Sequence, residues 1–369
     1  MAGIYLHIPF CKSKCAYCNF FSVVSEKQRA DFLDALKREA IARKDYLGGE
    51  EVRTIYFGGG TPTVLEALEV LKVLEVLRKN YNINAAAEIT LEANPDTVSK
   101  EKLLEYKSLG INRLSIGIQS FFDDDLQYLS RKHDSKHALK VLDWAKEVGF
   151  QEVTIDLIYG IPTLTDEKWR KNLEIFFSTG FNHLSAYALT IEEKTALGQR
   201  IKKGLAALVS EEETIRHYEI LVEMTENHGF EHYEISNFAR PGHYSKHNTI
   251  YWKGGKYLGL GPSAHSFDGV SRQWNVASVK DYCDNYSFER EELTLDDRYN
   301  EYVMTSLRTN WGCDLNYICD NFGEEYVKRF NNLTKKHILS GKMYQKDESF
   351  ILNDKGMLFA DGIASELFV

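Results

Sequence analysis

Apolar and polar positions along the first part of the chain follow two alternating periods. Short runs rich in β-branched and aromatic residues predict strands, and the segments between them carry apolar residues at helical spacing, as at Leu33, Leu36 and Ala40. The predicted strands are Ile4–Ile8, Thr54–Phe57, Glu88–Glu92, Arg113–Ile118, Glu152–Ile158 and His183–Leu189. The predicted helices are 26–47, 64–80, 100–109, 135–148, 166–178 and 210–228.

This alternation of strands and helices predicts the α/β class with a parallel sheet. We expect a partial (β/α)6 barrel of the TIM type, with its active face at the carboxyl ends of the strands. A doubly wound open sheet is the alternative, which periodicity alone does not exclude.

The pattern changes near the end of the chain. We expect residues 1–270 to form the barrel domain, 271–292 to form a connection, and 293–369 to form a small C-terminal domain. The last segment reads as helices followed by short β-like runs around 342–352, which is a helical, winged-helix-like pattern.

Composition narrows the class of protein. The chain has 369 residues, 43% hydrophobic content and a net charge of −9. The acidic balance argues against a nucleic-acid partner. There is no apolar run of about 18 residues, so we do not expect an integral membrane protein. No leader sequence is evident before Ile4, and we expect a reducing, cytoplasmic location.

Three cysteines stand close together after the first predicted strand, at Cys11, Cys15 and Cys18. Thiolates at this spacing can converge on one soft metal centre. An iron–sulfur cube normally takes four protein ligands, so three cysteines would leave one iron open. A closed zinc site completed by His7 is the main alternative. The remaining cysteines are scattered and are expected to be ordinary thiols: Cys283, Cys313 and Cys319.

Polar and glycine-rich residues follow the predicted strands. The second strand leads into the turn Phe57–Pro62, whose three glycines allow close approach to the backbone. Other strands end with candidate binding side chains: Glu92, then Gln119 with Arg131 downstream, and Asp156. Because carboxyl ends of barrel strands share one face, we expect these side chains to line one site.

The cysteine spacing, Tyr17 before the third cysteine, and the Gly-Gly-Gly-Thr-Pro turn together resemble the radical S-adenosylmethionine superfamily. That resemblance implies a [4Fe–4S] cluster on the three cysteines, with S-adenosylmethionine bound to the open iron. In that superfamily one electron cleaves the cofactor to a 5′-deoxyadenosyl radical, while the protein ligates, orients and excludes water.

Longer motifs resemble the oxygen-independent coproporphyrinogen oxidase group: segments 5–11, 114–119 and 156–162. Carried across by motif, the residues that would contact the cofactor on the open iron are Tyr5, Gly59 and Glu92. Six further positions match residues that contact a cofactor molecule in this group, which in the oxidase is a second S-adenosylmethionine. They are Tyr17, Gly60, Thr61, Gln119, Arg131 and Asp156.

Two departures point away from the oxidase. Phe20 stands where the oxidase has a further cysteine, and we expect no counterpart of the oxidase's N-terminal extension. The segment 246–252 matches a His-Asn-x-x-Tyr-Trp motif of a haem-chaperone branch, which implies haem near His247. The alternative is a structural histidine that hydrogen-bonds within the protein and does not bind haem. Other possible haem ligands are His228, His232, His243, His265 and Tyr251.

We therefore expect a haem-binding protein that delivers haem to client haemoproteins, some of them membrane-associated. The alternatives are oxidative decarboxylation of coproporphyrinogen III, a radical enzyme acting on RNA, which the acidic balance disfavours, and a zinc-stabilised binding module.

Overall fold

The computed structural model describes residues 2–369. Its strands are β1 Ala2–Ile8, β2 Val52–Gly59, β3 Ile83–Ala93, β4 Arg113–Gln119, β5 Glu152–Tyr159, β6 His183–Ala188, β7 Glu231–Glu234, β8 Asn237–Ala239, β9 Lys256–Leu260, β10 His265–Phe267, β11 Ser271–Asn275, β12 Phe288–Glu292, β13 Cys313–Asp314, β14 Met343–Lys346 and β15 Ser349–Leu352.

The α-helices are α1 Arg29–Ala42, α2 Ala67–Asn80, α3 Lys100–Ser108, α4 Asp123–Tyr128, α5 Ser135–Val148, α6 Asp166–Thr179, α7 Ala196–Lys202, α8 Glu211–Asn227, α9 Lys246–Trp252, α10 Val279–Asn285, α11 Leu295–Leu307, α12 Leu315–Phe322, α13 Glu324–Leu339, α14 Asp354–Met357 and α15 Ala360–Glu366. Short 3-10 turns follow β2 and β3, at Pro62–Val64 and Pro95–Thr97.

The first six strands are parallel and lie side by side in chain order. A doubly wound sheet would reverse its strand order at a switch point, whereas a barrel-type sheet runs in sequence. The α/β prediction is confirmed, and the barrel-type alternative is the one that the chain adopts. Parallel β9 extends the sheet beside β1, and antiparallel β8 extends it beside β6.

The predicted elements of the barrel are present, with shifted ends. Helix α5 has the predicted bounds, but α1 is shorter than the predicted 26–47. Helix α1 ends just before Arg43, whose guanidinium hydrogen-bonds with the buried side chains of Glu39, Gln273 and Ser266. Strand β3 begins earlier than predicted, because Ile83 already pairs with Val52 of β2.

Residues 271–292, for which we expected a connection, contain β11, α10 and β12. Both strands belong to the same twelve-stranded sheet as the barrel strands: β11 pairs antiparallel with β10, and β12 pairs antiparallel with β11. This segment therefore extends the sheet and does not merely link two parts. The sequence did not predict β12 because all of its residues are exposed, so its apolar and polar positions do not alternate as they do in a half-buried strand.

The C-terminal segment carries helices around a second, three-stranded antiparallel sheet in the order β13–β15–β14. It contacts the barrel part through a bridge between Glu234 and Thr309 and a bond from the Tyr218 hydroxyl to the Asp354 carbonyl. The domain boundary at residue 293 stays a prediction. Within residues 2–369, none of the helices combines the length and the apolar character that crossing a membrane requires.

Candidate cofactor site

The cysteine loop leaves β1 and returns to its own starting point. The Cys11 amide donates to the Val23 carbonyl at 2.9 Å, and the Val23 amide donates to the Pro9 carbonyl at 2.7 Å. The loop is thus pinned at its base. Cys11 is buried, Cys15 and Cys18 are half-buried, and none is in a disulfide. All three line one cavity of about 540 Å³ at the carboxyl ends of the strands.

The glycine turn after β2 packs directly against this loop. The Gly60 amide donates to the Ile8 carbonyl, and a Cβ at Gly60 would lie 3.0 Å from the Cys11 sulfur. Gly59 has φ +107°, and a Cβ there would lie 2.7 Å from the His7 ring. A side chain at Gly60 would therefore displace the cysteine loop and one at Gly59 would displace the His7 ring, which explains why the turn is built from glycine. The Thr61 hydroxyl also lies 3.5 Å from the Cys11 sulfur.

Glu92 at the end of β3 faces the same cavity. Its carboxylate accepts from the Tyr56 hydroxyl at 2.8 Å and from the Gly59 amide at 3.2 Å. The pKa of Glu92 is raised to about 7: burial is the main cause and the nearby Asp156 adds to it, while the bonds from Tyr56 and Gly59 act in the opposite direction. Ionised Glu92 therefore lacks a positive partner here, so a ligand ammonium group would stabilise it.

Asp156 on β5 is the second carboxyl group of the cavity. It accepts from the Ser115 hydroxyl at 3.1 Å. Burial raises its pKa to about 6, while Ser115 and Arg131 act in the opposite direction. The two carboxyl groups, on β3 and β5 with β4 between them, give the cavity a polar, acidic wall.

Arg131 brings a positive charge to the same cavity. It donates to the Asn94 side-chain oxygen at 2.8 Å and to the Gly117 carbonyl at 2.5 Å, and lies 3.4 Å from the Cys15 sulfur. Its Nε is buried with no hydrogen-bond partner among residues 2–369. Gln119 nearby has φ +71°, beside a register shift between β4 and β5. A non-glycine residue in this region is strained, and such strain is common where a side chain is aimed at a ligand.

The structure brings most of the predicted site residues to one cavity. Those that line it are Cys11, Cys15, Tyr17, Cys18, Gly59, Gly60, Thr61, Glu92, Gln119, Arg131 and Asp156. Sequence reasoning missed Asn94, Ser115 and Tyr187, which also line it. Asn94 could have been found because it directly follows β3, which carries Glu92, and Ser115 because it lies on β4, which carries Gln119.

Tyr5 and His247 do not line the cavity. The Tyr5 hydroxyl hydrogen-bonds with His7 Nδ1 at 3.1 Å. His247 on α9 is 1% exposed, and its ring nitrogens hydrogen-bond with Thr54 at 2.7 Å and Tyr251 at 2.8 Å. Both residues lie inside the barrel, deeper than the cysteine loop.

The other candidate haem ligands are dispersed. His228 bonds to the Met224 carbonyl, His232 lies against Asp354, and His243 pairs with Glu152. His265 stacks near Trp274 on the antiparallel extension of the sheet. None of these four histidines lines the cavity that the cysteines share.

The donor set fits an iron–sulfur cube with a bound amino acid-type cofactor. In a cube each cysteine binds a different iron, so the three sulfurs need to surround a volume and not one point. Within residues 2–369, no three histidine, cysteine or carboxylate side chains are grouped to hold a single metal ion. The unpartnered Arg131 Nε and the carboxyl groups of Glu92 and Asp156 supply polar contacts beside the thiols.

Comparison with known proteins agrees with this geometry. A model of the Radical SAM superfamily matches residues 5–176. The haem chaperone HemW of Bacillus subtilis is 33% identical over 371 aligned residues, covering 98% of each chain. The chain belongs to the HemW family. HemW of Lactococcus lactis is 30% identical, covering 97% of this chain and 95% of that protein.

Among solved structures, the HemW-family chain is similar to coproporphyrinogen III oxidase (HemN) from Escherichia coli, a radical SAM enzyme. The TM-score is 0.86 at 26% identity, covering 100% of this chain and 90% of that chain. The shared architecture extends across the barrel and the C-terminal segment. Membership of the superfamily implies a [4Fe–4S] cluster and S-adenosylmethionine.

Proposed function

We propose that this chain is a haem chaperone, which binds haem and transfers it to client haemoproteins. The observation that carries the proposal is the full-length relationship to proteins named haem chaperone HemW. Clients that are membrane-associated would meet the protein from a reducing, cytoplasmic side.

Cys11, Cys15 and Cys18 would hold the [4Fe–4S] cluster, and the open iron would face the cavity. Glu92 suits the ammonium group of S-adenosylmethionine, because its carboxylate has only neutral donors at present. Arg131 suits an acidic or ribose oxygen, because its Nε is free. When bound, the cluster and cofactor would supply one-electron chemistry or a regulatory signal for haem transfer.

Haem would be the cargo. The predicted contact between haem and His247 requires the imidazole to leave at least one of its two partners, Thr54 and Tyr251. Phe20 offers an apolar ring at the cavity, with 69% of its surface exposed. A flat aromatic side chain at that place suits a porphyrin face.

The second candidate function is oxygen-independent decarboxylation of coproporphyrinogen III. It is favoured by the similarity in fold to the Escherichia coli oxidase over the whole chain. Phe20 at the position of the oxidase's further cysteine speaks against it.

The test begins with anaerobic reconstitution, followed by iron and sulfide analysis and a haem titration. We expect about four irons per chain, a shifted Soret band on adding haem, and haem transfer to an apo-haemoprotein such as apo-myoglobin. An unshifted Soret band would contradict the chaperone proposal. Formation of protoporphyrinogen in an anaerobic assay would replace it with the oxidase.

A further inference from the structure

Helix α9, which carries His247, is docked inside the barrel. The backbone amides of Lys246 and His247 donate to the Glu88 carboxylate at 3.3 and 3.0 Å, so that a strand residue caps the start of the helix. A carboxylate at a helix N-terminus is a stabilising arrangement. Glu88 and Glu92 lie four positions apart on β3 and share one face of it.

The imidazole of His247 is held from two sides. One nitrogen hydrogen-bonds with Thr54 of β2 and the other with Tyr251 of the same helix. Burial lowers the pKa of His247 to about 3, so the ring is neutral and can satisfy one donor and one acceptor. Because both nitrogens are engaged, the ring has one fixed orientation.

That orientation is passed to the ring of Tyr56, which hydrogen-bonds to the cavity residue Glu92. The His247 ring stacks on Tyr56, with centroids 4.9 Å apart and an interplanar angle of 24°. The Tyr56 ring also stacks on Tyr5 at 6.0 Å, and its hydroxyl donates to Glu92 at 2.8 Å. A continuous set of contacts therefore links α9 to the carboxylate that faces the cavity.

We propose that His247 is a positioning residue of the cofactor site, which holds the Tyr56 ring so that its hydroxyl fixes the Glu92 carboxylate for a ligand ammonium group. This role rests on the proposed S-adenosylmethionine site. It differs from direct ligation of haem iron, which would need the imidazole to be free at one nitrogen. In this arrangement His247 acts on the cofactor through Tyr56.

The test measures S-adenosylmethionine affinity by anaerobic equilibrium dialysis on the reconstituted protein, with the variants His247→Leu, Tyr56→Phe and both together. We expect each single variant to weaken binding about tenfold, a loss of about 1.4 kcal/mol. The double variant should be little weaker than either, because both act on Glu92 through the same contact. His337→Leu, which removes a buried imidazole of the C-terminal segment, is the matched control and should leave the affinity unchanged.

Several results would overturn this inference. An unchanged affinity in His247→Leu with a lowered melting temperature would mean a purely structural role. Additive effects in the double variant would mean that His247 does not act through Tyr56. A lost Soret shift with unchanged S-adenosylmethionine affinity would make His247 a haem ligand instead.

Two more measurements keep the outcome clear. If His247→Leu fails to fold, Thr54→Val and Tyr251→Phe can replace it, because each removes one of the two imidazole hydrogen bonds. Each should weaken S-adenosylmethionine binding about threefold, a modest loss typical of one neutral hydrogen bond. No effect in either variant would overturn the inference. If the wild-type chain itself does not bind S-adenosylmethionine, the proposed cofactor site and this inference both fall. Wild-type binding with unaffected variants overturns the inference alone.

Discussion

The Nε2 atom of His7 lies 2.8 Å from the carbonyl oxygen of Phe21, across the base of the cysteine loop. A carbonyl can only accept, so Nε2 carries the proton, and Nδ1 is left to accept from the Tyr5 hydroxyl. Burial lowers the pKa of His7, which keeps the ring neutral and suits this pair of bonds. His7 therefore ties the returning end of the loop to β1.

We expect His7→Ala to loosen the cysteine loop and make the cluster labile. The variant should lose iron and the visible absorption of the cluster several times faster than the wild type on exposure to a chelator. His228→Ala is the matched control, because it also removes an imidazole bond to a carbonyl, at Met224, away from the loop. Equal rates of iron release in the two variants would contradict this expectation.

Cys15 tests the cluster assignment itself. We expect Cys15→Ala to lower the iron content well below about four per chain and to abolish the cluster's visible absorption. Cys283→Ala removes a half-buried thiol remote in sequence from the loop and should leave both unchanged. One zinc per chain in the wild type, lost in Cys15→Ala, would favour the closed zinc site.

The strand-end residues that the sequence singled out line one cavity, and the reason is geometric. The carboxyl ends of parallel barrel strands open at one face, so Glu92 of β3 and Asp156 of β5 were expected at the same face once the strands were recognised. The cysteine loop followed from its own spacing. The depth of a residue along a strand is harder to predict, and Tyr5 lies below the cavity although it belongs to the same motif as Cys11.

His247 shows what sequence reasoning could not reach. Its motif lies far from the cysteines along the chain, and no periodicity places a short helix inside a barrel. The contact between α9 and Glu88 is a tertiary one, between residues 159 positions apart. Only the structure places this histidine beneath the cofactor site.

The raised pKa of Glu92 predicts opposite pH effects on binding and on stability. Binding of an ammonium group needs the ionised carboxylate, so S-adenosylmethionine affinity should fall by up to about tenfold per pH unit below pH 7. Without cofactor, the folded state binds the proton more tightly than the unfolded chain. The free energy of unfolding should therefore fall as pH rises from 4.5 to about 7.

The variant Glu92→Gln separates the contribution of Glu92 to the pH dependence from that of other titrating groups. We expect the variant to bind S-adenosylmethionine weakly at pH 8 and to lose most of the pH dependence in both measurements, with a residual transition near pH 6 from Asp156. Glu152→Gln, at the opposite end of strand β5, should behave like the wild type in binding. A Glu92→Gln profile identical to that of the wild type would rule out Glu92 as the titrating group.

Phe20 should contribute to haem binding and little to folding. Its ring is 69% exposed, so Phe20→Ser should change the free energy of unfolding by less than about 0.5 kcal/mol. We expect the same variant to weaken haem affinity several-fold in a Soret titration. Leu339→Ser replaces an apolar residue of the C-terminal segment that is also largely exposed, and it should leave haem affinity unchanged. Equal affinities for all three proteins would place the haem away from Phe20.

The buried pair Arg43–Glu39 joins helix α1 to the antiparallel extension of the sheet. Arg43 donates to Glu39 at 3.1 Å and to the Gln273 side chain at 2.9 Å, and Glu39 also accepts from Asn275 and Tyr282. Both charged side chains are buried, since Glu39 is 0% and Arg43 7% exposed.

Arg43→Ala should therefore be strongly destabilising, because it leaves the Glu39 charge buried without its cation. Breaking a buried pair from one side typically costs about 3–5 kcal/mol, and we expect a loss of that size in urea unfolding. Lys37→Ala breaks the more exposed pair with Asp34 on the same helix and should cost less than about 1 kcal/mol. A similar small loss in Arg43→Ala would mean that the remaining donors to the Glu39 carboxylate, Gly261, Asn275 and Tyr282, are enough to hold it without the guanidinium.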